Sequence, residues 1–568
     1  MEKRTYPVLL SLLFLMLACQ EVSEKINAKK VIIREKSDAA TLNPVAAEDQ
    51  LSAYAGMQIF QTLTNIDYKT EKITGILAEA PPEITYDSSG KMMATYSLRK
   101  NANFGGTQQV TFEDILFSIK VNFCPLVSNS DGANYYSFIE DVTSKDQRTF
   151  TITCNSSAVL NELRSGDFFV LPKAHYDSLD LLQNFSLNRL KTDLSLTEND
   201  SIIRFAESFN SSLIQPNPNA FVGSGPYRLK KWQKGERIIL ERKTDWWGEL
   251  YSKENTFFIA NADEIQFEII NDDQTAINAL KAGEIDVLNN VSQNDFEKIE
   301  NNTNIKTLEC NQHGFNYLGF NCNHPILKER EFRKAIEASI PYQKIIDVVY
   351  ENQAELNRLP LALQQRSLRN DTLVFEGQNL SKAKRILAEL GWEDSNNNGI
   401  LDKVIQDQLV ECELQYHFNS GNDQRKAIGY LLKNELNKIG ISLQVNELEW
   451  ITYLKALKNN EVQMFTSGKL TLPITPDFTS ALHSSSANGG RNYANYQNPV
   501  LDSLIESILM EPNEQIRTNK IKKVQEIVAN DAPYIYLLST RNRFAYSSRL
   551  KNISVYSIRP HFWAAELY

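Results

Sequence analysis

Apolar side chains recur at the spacing of an amphipathic helix in several parts of the chain. Between residues 111 and 123, the apolar residues that fall on one helical face are Phe112, Ile115, Ile119 and Phe123. Thr111 and Asp114 have the spacing of a capping box, in which two side chains bond free backbone amides of the first turn. The pattern therefore predicts a helix that begins directly after Thr111.

A strand, a helix and a second strand are predicted in succession between residues 265 and 288. Residues 265–270 are strand-like, residues 275–282 have helical spacing and stop at Gly283, and residues 285–288 are again strand-like. Such a unit joins two parallel strands of one sheet. The spacing favours an α/β protein.

Three later helices have recognisable ends. The first stops at Gly391, the second stops at Gly440 and leads into a strand, and the third begins with Asn498 as cap and Pro499 in its first turn. Earlier in the chain, residues 29–45 predict a short strand that enters a turn, residues 50–67 a helix with a strand or turn after it, and residues 91–104 a strand. The polar segment 184–218 gives no clear pattern.

The stretch from Phe221 to Gly248 combines two glycines with lysines, arginines and tryptophans, and so raises the question of a phosphate cradle. It lacks the lysine-serine ending and the following helix that a phosphate loop needs. Ile238, Leu240 and the Trp246–Trp247 pair are better interpreted as structural core.

Composition excludes some classes of function. The 568 residues contain 42% hydrophobic and 23% charged residues, an ordinary globular balance over more than one domain. The net charge of −10 disfavours nucleic acid as a partner, because no general surface field would attract a polyanion.

The N-terminus has the pattern of an export signal. Lys3 and Arg4 precede an apolar run from residue 8 to 17, too short to span a bilayer, and Cys19 follows Ala18. This resembles a bacterial lipobox, which predicts a signal peptide over 1–18, lipidation of Cys19 and a polar tether over 19–28. The alternative is an ordinary signal peptide in which Cys19 is incidental.

No catalytic motif is recognisable, and neither histidines nor cysteines have the spacing of zinc ligands. Cys310 and Cys322 flank a predicted hairpin, and they either pair or stay reduced. The turn at residues 394–402 offers a weak calcium candidate, with ligands Asp394, Asn396, Asn398, Ile400 and Asp402. A surface turn is favoured, because Ile405 stands where a calcium loop needs a glutamate.

Seven segments in order resemble the bacterial extracellular solute-binding proteins of family 5, which include oligopeptide- and dipeptide-binding components of ABC importers. They include "QQVTFEDILFSIK", "GSGPYRLKKWQKGERIILERKTDWWG", "TAINALKAGEIDVL", "SKAKRILAELGW" and "NYANYQNPVLDSLI". The resemblance implies an α/β, two-lobed, class II periplasmic-binding-protein-like fold with a ligand cleft between the lobes. It assigns 29–66, 185–263 and 535–568 to lobe I, 67–184 to a subdomain inserted in lobe I, and 264–534 to lobe II.

The resemblance also implies a function. We expect an extracytoplasmic, membrane-anchored, monomeric protein, in the periplasm or at the cell surface, that binds peptides without a cofactor and delivers them to a permease. The alternatives are the same fold with a non-peptide or modified solute, such as an oligosaccharide, and a surface hydrolase or sensor component.

Candidate ligand contacts in the second lobe come from aligning "SGKLTLPITPD" with the family. With Gly468 and Asp477 as anchors, Lys469 takes the place of a family tryptophan and Leu472 that of the aspartate that pairs with a peptide's amino terminus. Leucine cannot make that pair. A shift in the alignment would instead let Asp477 serve.

Two other loops supply the remaining candidates. The resemblance places the segment "LNPVAAEDQ" on the first-lobe side of the cleft, and polar residues of "RNYANY" suit contacts in such a cleft. The candidate ligand-binding residues from the two loops are Glu48, Asp49, Gln50, Arg491, Asn492 and Tyr493.

Overall fold

The computed structural model describes residues 29–47, 49–129, 132–212, 217–551 and 553–568. The predicted signal peptide over 1–18, the lipidation site Cys19, the rest of the tether over 19–28 and Glu48 lie outside these residues. Among the helices of the described part, none has the length and apolarity to cross a bilayer.

The strands are numbered along the chain. They are β1 Lys30–Glu35, β2 Thr64–Ile66, β3 Ile73–Gly75, β4 Glu83–Tyr86, β5 Met92–Ser97, β6 Asn103–Gly105, β7 Gln108–Gln109, β8 Ile139–Ser144, β9 Thr149–Cys154, β10 Tyr227–Gln233 and β11 Arg237–Arg242. The others are β12 Glu264–Ile269, β13 Val287–Asn289, β14 Ile305–Asn311, β15 Gly314–Phe320, β16 Ala354–Leu356, β17 Asp402–Ile405, β18 Gln408–Glu411, β19 Glu413–Asn419, β20 Ser442–Leu448, β21 Met464–Leu470 and β22 Tyr534–Ser547.

The α-helices are numbered in the same way. They are α1 Gln50–Ile59, α2 Phe112–Phe123, α3 Gly132–Tyr135, α4 Asn161–Arg164, α5 Lys173–Tyr176, α6 Leu187–Thr192, α7 Asp200–Ser212, α8 Asp273–Ala282 and α9 Gln293–Glu300. The others are α10 Arg330–Ser339, α11 Tyr342–Lys344, α12 Leu380–Glu389, α13 Asp423–Asn437, α14 Trp450–Lys458, α15 Thr479–Leu482, α16 Pro499–Leu509 and α17 Glu514–Asp531.

The helix ends predicted from the sequence are confirmed. The capping box of Thr111 and Asp114 begins α2, and Asn498 caps α16, which has Pro499 in its first turn. Gly283, Gly391 and Gly440 follow α8, α12 and α13 with φ values of 76°, 79° and 81°, which only glycine adopts without strain. The segment 184–218, left without a prediction, contains α6 and α7; the buried Ile202, Phe205, Ala206 and Phe209 give α7 a helical spacing that the sequence interpretation missed.

A large mixed sheet organises the chain. Its strand order is β10-β11-β12-β1-β13-β22-β15-β21-β19-β20, and β14 and β16 also pair with β22. β12 and β13 both run parallel to β1, on its two sides, as the strand-helix-strand unit predicts. Residues 264–289 were expected to begin the second lobe, but their strands β12 and β13 pair with β1 at the start of the chain. The lobe boundaries stay a prediction.

The long strand β22 links the two halves of this sheet. Its C-terminal half pairs with β13 and β14, and its N-terminal half pairs with β15 and β16. The predicted hairpin between Cys310 and Cys322 is wrong, because β14 and β15 each pair antiparallel with β22 rather than with each other. Both cysteines are free thiols.

Apolar clusters pack around the large sheet, and one of them includes the predicted insert. The four-stranded sheet β4-β5-β9-β8 lies within the predicted insert, and its apolar residues join the core around Val31 and Ile33. Separate apolar clusters form around Leu318 and Tyr416 and around Phe465 and Tyr534. The cluster around Leu318 and the cluster around Phe465 cover opposite faces of β15, β21 and the start of β22.

The stretch from Phe221 to Gly248 is part of the first core, as predicted. Ile238, Leu240 and both tryptophans are buried, and the two indole Nε1 atoms donate to the carbonyl of Ser224 at 2.9 and 3.0 Å. A Cβ at Gly225 would lie 2.5 Å from the Gln58 carbonyl oxygen, so the backbone there approaches α1 as only glycine permits.

Candidate ligand-binding cavity

A cavity of about 480 Å³ lies between the predicted insert and the apolar cluster around Phe465 and Tyr534. Tyr135, Leu163 and Arg164 line it from the insert, and the other wall comes from β15, β21, β22 and the loop that follows β21. This volume lies in the range of small-molecule and peptide pockets. The cavity therefore occupies the place at which two lobes would close on a ligand.

Aromatic side chains form one wall of the cavity. Phe315 and Tyr317 alternate on β15, and Tyr534 and Tyr536 alternate on β22, so all four point to one side of the sheet. The ring centroids of Phe315 and Tyr536 are 5.2 Å apart, and those of Tyr317 and Tyr534 are 5.0 Å apart, both edge-on. The wall is rigid and mostly apolar, as contacts to a ligand's apolar groups require.

The loop after β21 contributes Thr471, Thr475 and Asp477 to the polar lining. The Thr471 amide donates to the His313 carbonyl at 2.7 Å, and His313 Nδ1 lies 2.8 Å from Thr471 Oγ1. These bonds anchor the loop to the segment between β14 and β15. Lys469 lies before the anchor, directly across from Phe315 in the strand register, and Leu472 follows it.

Charged groups meet at one end of the cavity. Arg164 Nη2 lies 3.5 Å from Asp477 Oδ2, and the Lys469 ammonium donates to the Asp477 backbone carbonyl at 3.4 Å. Burial lowers the pKa of Lys469; the nearby Asp477 opposes this effect and Arg491 adds to it. The cavity lining therefore has three cationic side chains and one carboxylate.

Four of the residues predicted from the sequence line this cavity: Lys469, Leu472, Asp477 and Arg491. The leucine is 45% exposed and contributes no charge where the family alignment expects an aspartate. The structure thus brings together the second-lobe candidates on which the choice of ligand depends.

Asn492 and Tyr493 do not line the cavity. Asn492 is 1% exposed, and its amide donates to the carbonyls of His483 and Tyr496, so that it holds the loop in shape. The Tyr493 ring packs edge-on against Phe465 at 6.2 Å. Direct contact of Asn492 and Tyr493 with a ligand stays a prediction. Both residues directly follow Arg491, so their packing holds the segment that carries this arginine.

Asp49 and Gln50, on the first-lobe side, also lie outside the cavity. Asp49 caps α1 by accepting from the Ser52 amide at 2.8 Å, and Gln50 Nε2 lies 3.5 Å from Glu35 Oε2. Burial raises the pKa of Glu35 to about 7. Glu48 lies outside the described residues. A role for these residues in binding stays a prediction.

The sequence interpretation missed the insert side of the cavity and the aromatic wall. The alternating aromatics of "FNY" and "YIY" are a signal for a shared strand face, and this signal was available. No sequence pattern indicates Arg164 as a site residue, because it is the last residue of the four-residue helix α4 and its contact, Asp477, lies 313 positions later in the chain. Only the fold brings it to the site.

The calcium candidate is a hydrogen-bonded turn. The Asp394 carboxylate accepts from the amides of Asn398 and Gly399, and the Asp402 carboxylate accepts from Ser395. Within the described ranges, no group of three or more histidine, cysteine or acidic residues is placed to hold a metal ion. These bonds fix the shape of the turn, and calcium binding there stays a prediction.

Comparison with known proteins gives consistent relatives. An oligopeptide-binding protein, AppA, from Bacillus subtilis is 24% identical over 529 residues, covering 92% of this chain and 88% of that protein. Heme-binding protein A from Haemophilus influenzae is 24% identical over 517 residues, covering 88% and 84%. The solved structure of the Bacillus subtilis AppA with a nonapeptide has a TM-score of 0.69 at 22% identity, over 95% of this chain and 98% of that one.

These likenesses confirm the expected fold of two α/β lobes, because the structural match extends over nearly the whole chain. The family description "Bacterial extracellular solute-binding proteins, family 5 Middle" matches residues 72–491, which is most of the chain and includes the cavity-lining residues from Tyr135 to Arg491. The chain therefore belongs to the bacterial extracellular solute-binding proteins of family 5.

Proposed function

We propose that this protein is the extracytoplasmic binding component of an ABC importer, and that it binds peptides in the cavity between its lobes and delivers them to a permease. The observation that carries the proposal is the cavity, enclosed by the insert on one side and the loop after β21 on the other. Several relatives named as oligopeptide-, dipeptide- or tripeptide-binding proteins support the choice of ligand.

Contacts across the cavity indicate how binding would be coupled to closure. The Val159 amide of the predicted insert donates to the Leu509 carbonyl of α16 at 2.7 Å, and Arg164 reaches Asp477. These contacts exist only when the two sides are close. A ligand that touches both sides binds the closed form better than the open form, and so shifts the population towards closure.

The proposal is tested by calorimetry and small-angle scattering with pools of synthetic peptides. We expect saturable binding and a smaller radius of gyration in the presence of peptide. Thr475 lines the cavity, so that Thr475→Trp should fill it and remove both effects, whereas Thr452→Trp on the exposed face of α14 should remove neither. Absence of binding and compaction in the unaltered protein would refute the proposed function.

We propose in addition that the protein is monomeric and is held to a bacterial membrane through a lipid on Cys19. The apolar run before Ala18 and Cys19 supports the anchor. Expression in a bacterial host should place the protein in the membrane fraction, and Cys19→Ala should release it. Equal fractionation of both forms would contradict the anchor, and light scattering of the soluble form measures the oligomeric state.

A non-peptide solute is the second candidate. Leu472 supports it, because the cavity wall has no carboxylate where a peptide's amino terminus is expected. Relatives include proteins named for binding haem and nickel, so that the family fold accepts other ligands. This candidate predicts that gently purified protein carries a bound mass that no peptide composition explains.

A further inference from the structure

We propose that the cavity recognises its ligand through an anionic group, a carboxylate, held between Lys469 and Arg491, and that it does not require a free amino group on the ligand. This inference rests on the proposed binding function and specifies the class of ligand. The chemistry is shared by a peptide's terminal carboxylate and an acidic side chain, and the experiment below separates these two sources.

The charge of the cavity lining is unbalanced. The charged residues that line it are Arg164, Lys469, Arg491 and Asp477, three cations and one anion. The whole chain has the opposite sign, with a net charge of −10. A cavity that is locally cationic in an acidic protein favours an anionic ligand over a cationic one.

The single carboxylate is already engaged. Asp477 Oδ2 faces Arg164 at 3.5 Å, and Oδ1 accepts from the Thr479 amide at 2.9 Å at the start of α15. An incoming ammonium group would have to share this carboxylate with Arg164 and with the Thr479 amide. It would also come close to Lys469, whose ammonium lies against the Asp477 backbone.

Among the described residues, Lys469 and Arg491 form no salt bridge with an acidic side chain, although the Asp477 carboxylate lies close enough to act on the charge of Lys469. The Lys469 ammonium is bonded only to a backbone carbonyl, at the long distance of 3.4 Å. A ligand carboxylate beside it would supply the missing counter-charge and a charge-assisted hydrogen bond.

The rest of the lining agrees with this assignment. Leu472 offers an apolar surface where an ammonium group would need an acid, and Phe315 lies directly across from Lys469. The cationic end therefore adjoins the aromatic wall of Tyr317, Tyr534 and Tyr536. The arrangement suits a ligand with an apolar body and a carboxylate at the Lys469 end.

The test uses pools of synthetic tri- to pentapeptides built from uncharged residues, so that the termini carry the only charges. Four forms are compared: free, N-acetylated, C-amidated, and doubly blocked with one glutamate side chain. Each pool is mixed with the protein and passed through gel filtration, and retained peptide is measured by mass spectrometry. We expect the acetylated form to be retained within about twofold of the free form, and the C-amidated form at least about tenfold less.

Retention of the doubly blocked glutamate form would assign the carboxylate to a side chain, and its absence would assign it to the peptide terminus; the inference holds in both cases. Lys469→Met and Arg491→Gln should each lower retention of the acetylated form at least about tenfold. Lys433→Met, at an exposed lysine of α13, should leave it unchanged.

Three outcomes would overturn the inference, and they are distinguishable. Equal retention of the C-amidated form would refute the anionic recognition, and loss of the acetylated form would show that a free amino group is required; both leave peptide binding intact. Retention of no form would refute peptide binding and the inference with it. The comparison of terminal forms needs no substitution, so it remains decisive if Lys469→Met does not fold.

Discussion

The guanidinium of Arg164 lies 3.5 Å from the carboxylate of Asp477, although 313 positions separate them in the sequence. Arg164 belongs to the predicted insert, and Asp477 belongs to the loop after β21, so the pair spans the cavity. Tyr135 supports the arginine from behind, with its ring centroid 5.2 Å from the guanidinium carbon. The pair is a contact that only the closed arrangement permits.

Arg164→Gln should weaken ligand binding modestly without unfolding the protein. Both side chains are about one-third exposed, and exposed ion pairs contribute roughly 0.2–1 kcal/mol, which corresponds to about a one-and-a-half- to fivefold change in affinity. Calorimetry measures the affinity, and denaturant unfolding should show a change within about 0.5 kcal/mol. Arg189→Gln, which removes a surface pair with Asp193 on α6, is the control and should leave the affinity unchanged. Equal affinities for all three proteins would show that the Arg164 pair has no part in closure.

Leu472→Asp should weaken the preference of the cavity for acidic ligands. The new carboxylate would stand beside Lys469, neutralise it and repel a ligand acid, so that binding of N-acetylated peptides should fall about tenfold or more. Because the leucine is nearly half exposed, the unfolding free energy should change by no more than about 1 kcal/mol. Leu472→Asn has the same size without the charge, and equal losses in both variants would exclude an electrostatic cause.

Gly225→Ala tests the structural assignment of the 221–248 stretch. The added Cβ would lie 2.5 Å from the Gln58 carbonyl oxygen in the backbone of α1, so the unfolding free energy should drop by about 2 kcal/mol or more. Gly56→Ala in α1 meets no heavy atom within 4 Å, and should raise it by about 0.5–1 kcal/mol. Chemical denaturation measures both, and a tolerated Gly225→Ala would contradict the close approach.

Glu35 should make stability depend on pH. Burial raises its pKa from 4.5 to about 7, against the opposing charge of Arg34, so the folded state holds a proton that the unfolded state releases. The resulting stabilisation is complete below pH 4.5 and is lost as the pH rises through 7, by roughly 3 kcal/mol. Glu35→Gln removes this component, so its unfolding free energy relative to the unaltered protein should rise from pH 5 to pH 8. A constant difference across that range would show that Glu35 titrates normally.

The local structure was largely predictable from the sequence. Capping residues such as Thr111 and Asn498 and stop signals such as Gly283 act within a few residues of chain, so they fix helix ends without tertiary context. Strand pairing was less predictable. The hairpin expected around Cys310 and Cys322 fails because β22 offers each strand a better partner more than 200 positions away.

The candidate cavity was predictable only in part. Lys469, Leu472 and Asp477 were identified because the family alignment reaches that loop, Arg491 came from the segment "RNYANY", and the structure places all four on one cavity. Asn492 was chosen for its hydrogen-bonding groups, but the fold uses those groups to hold its own loop. Composition cannot distinguish a polar residue that faces a ligand from one that faces the backbone, because both need the same chemistry.

The identity of the ligand that the protein retains from its host tests the central claim most directly. Protein purified under non-denaturing conditions is analysed by native mass spectrometry, and the released ligand is fragmented. The account predicts peptides that carry a carboxylate, retained by the unaltered protein and lost from Lys469→Met. A non-peptide solute, or a ligand that the unaltered protein and Lys469→Met retain equally, would contradict it.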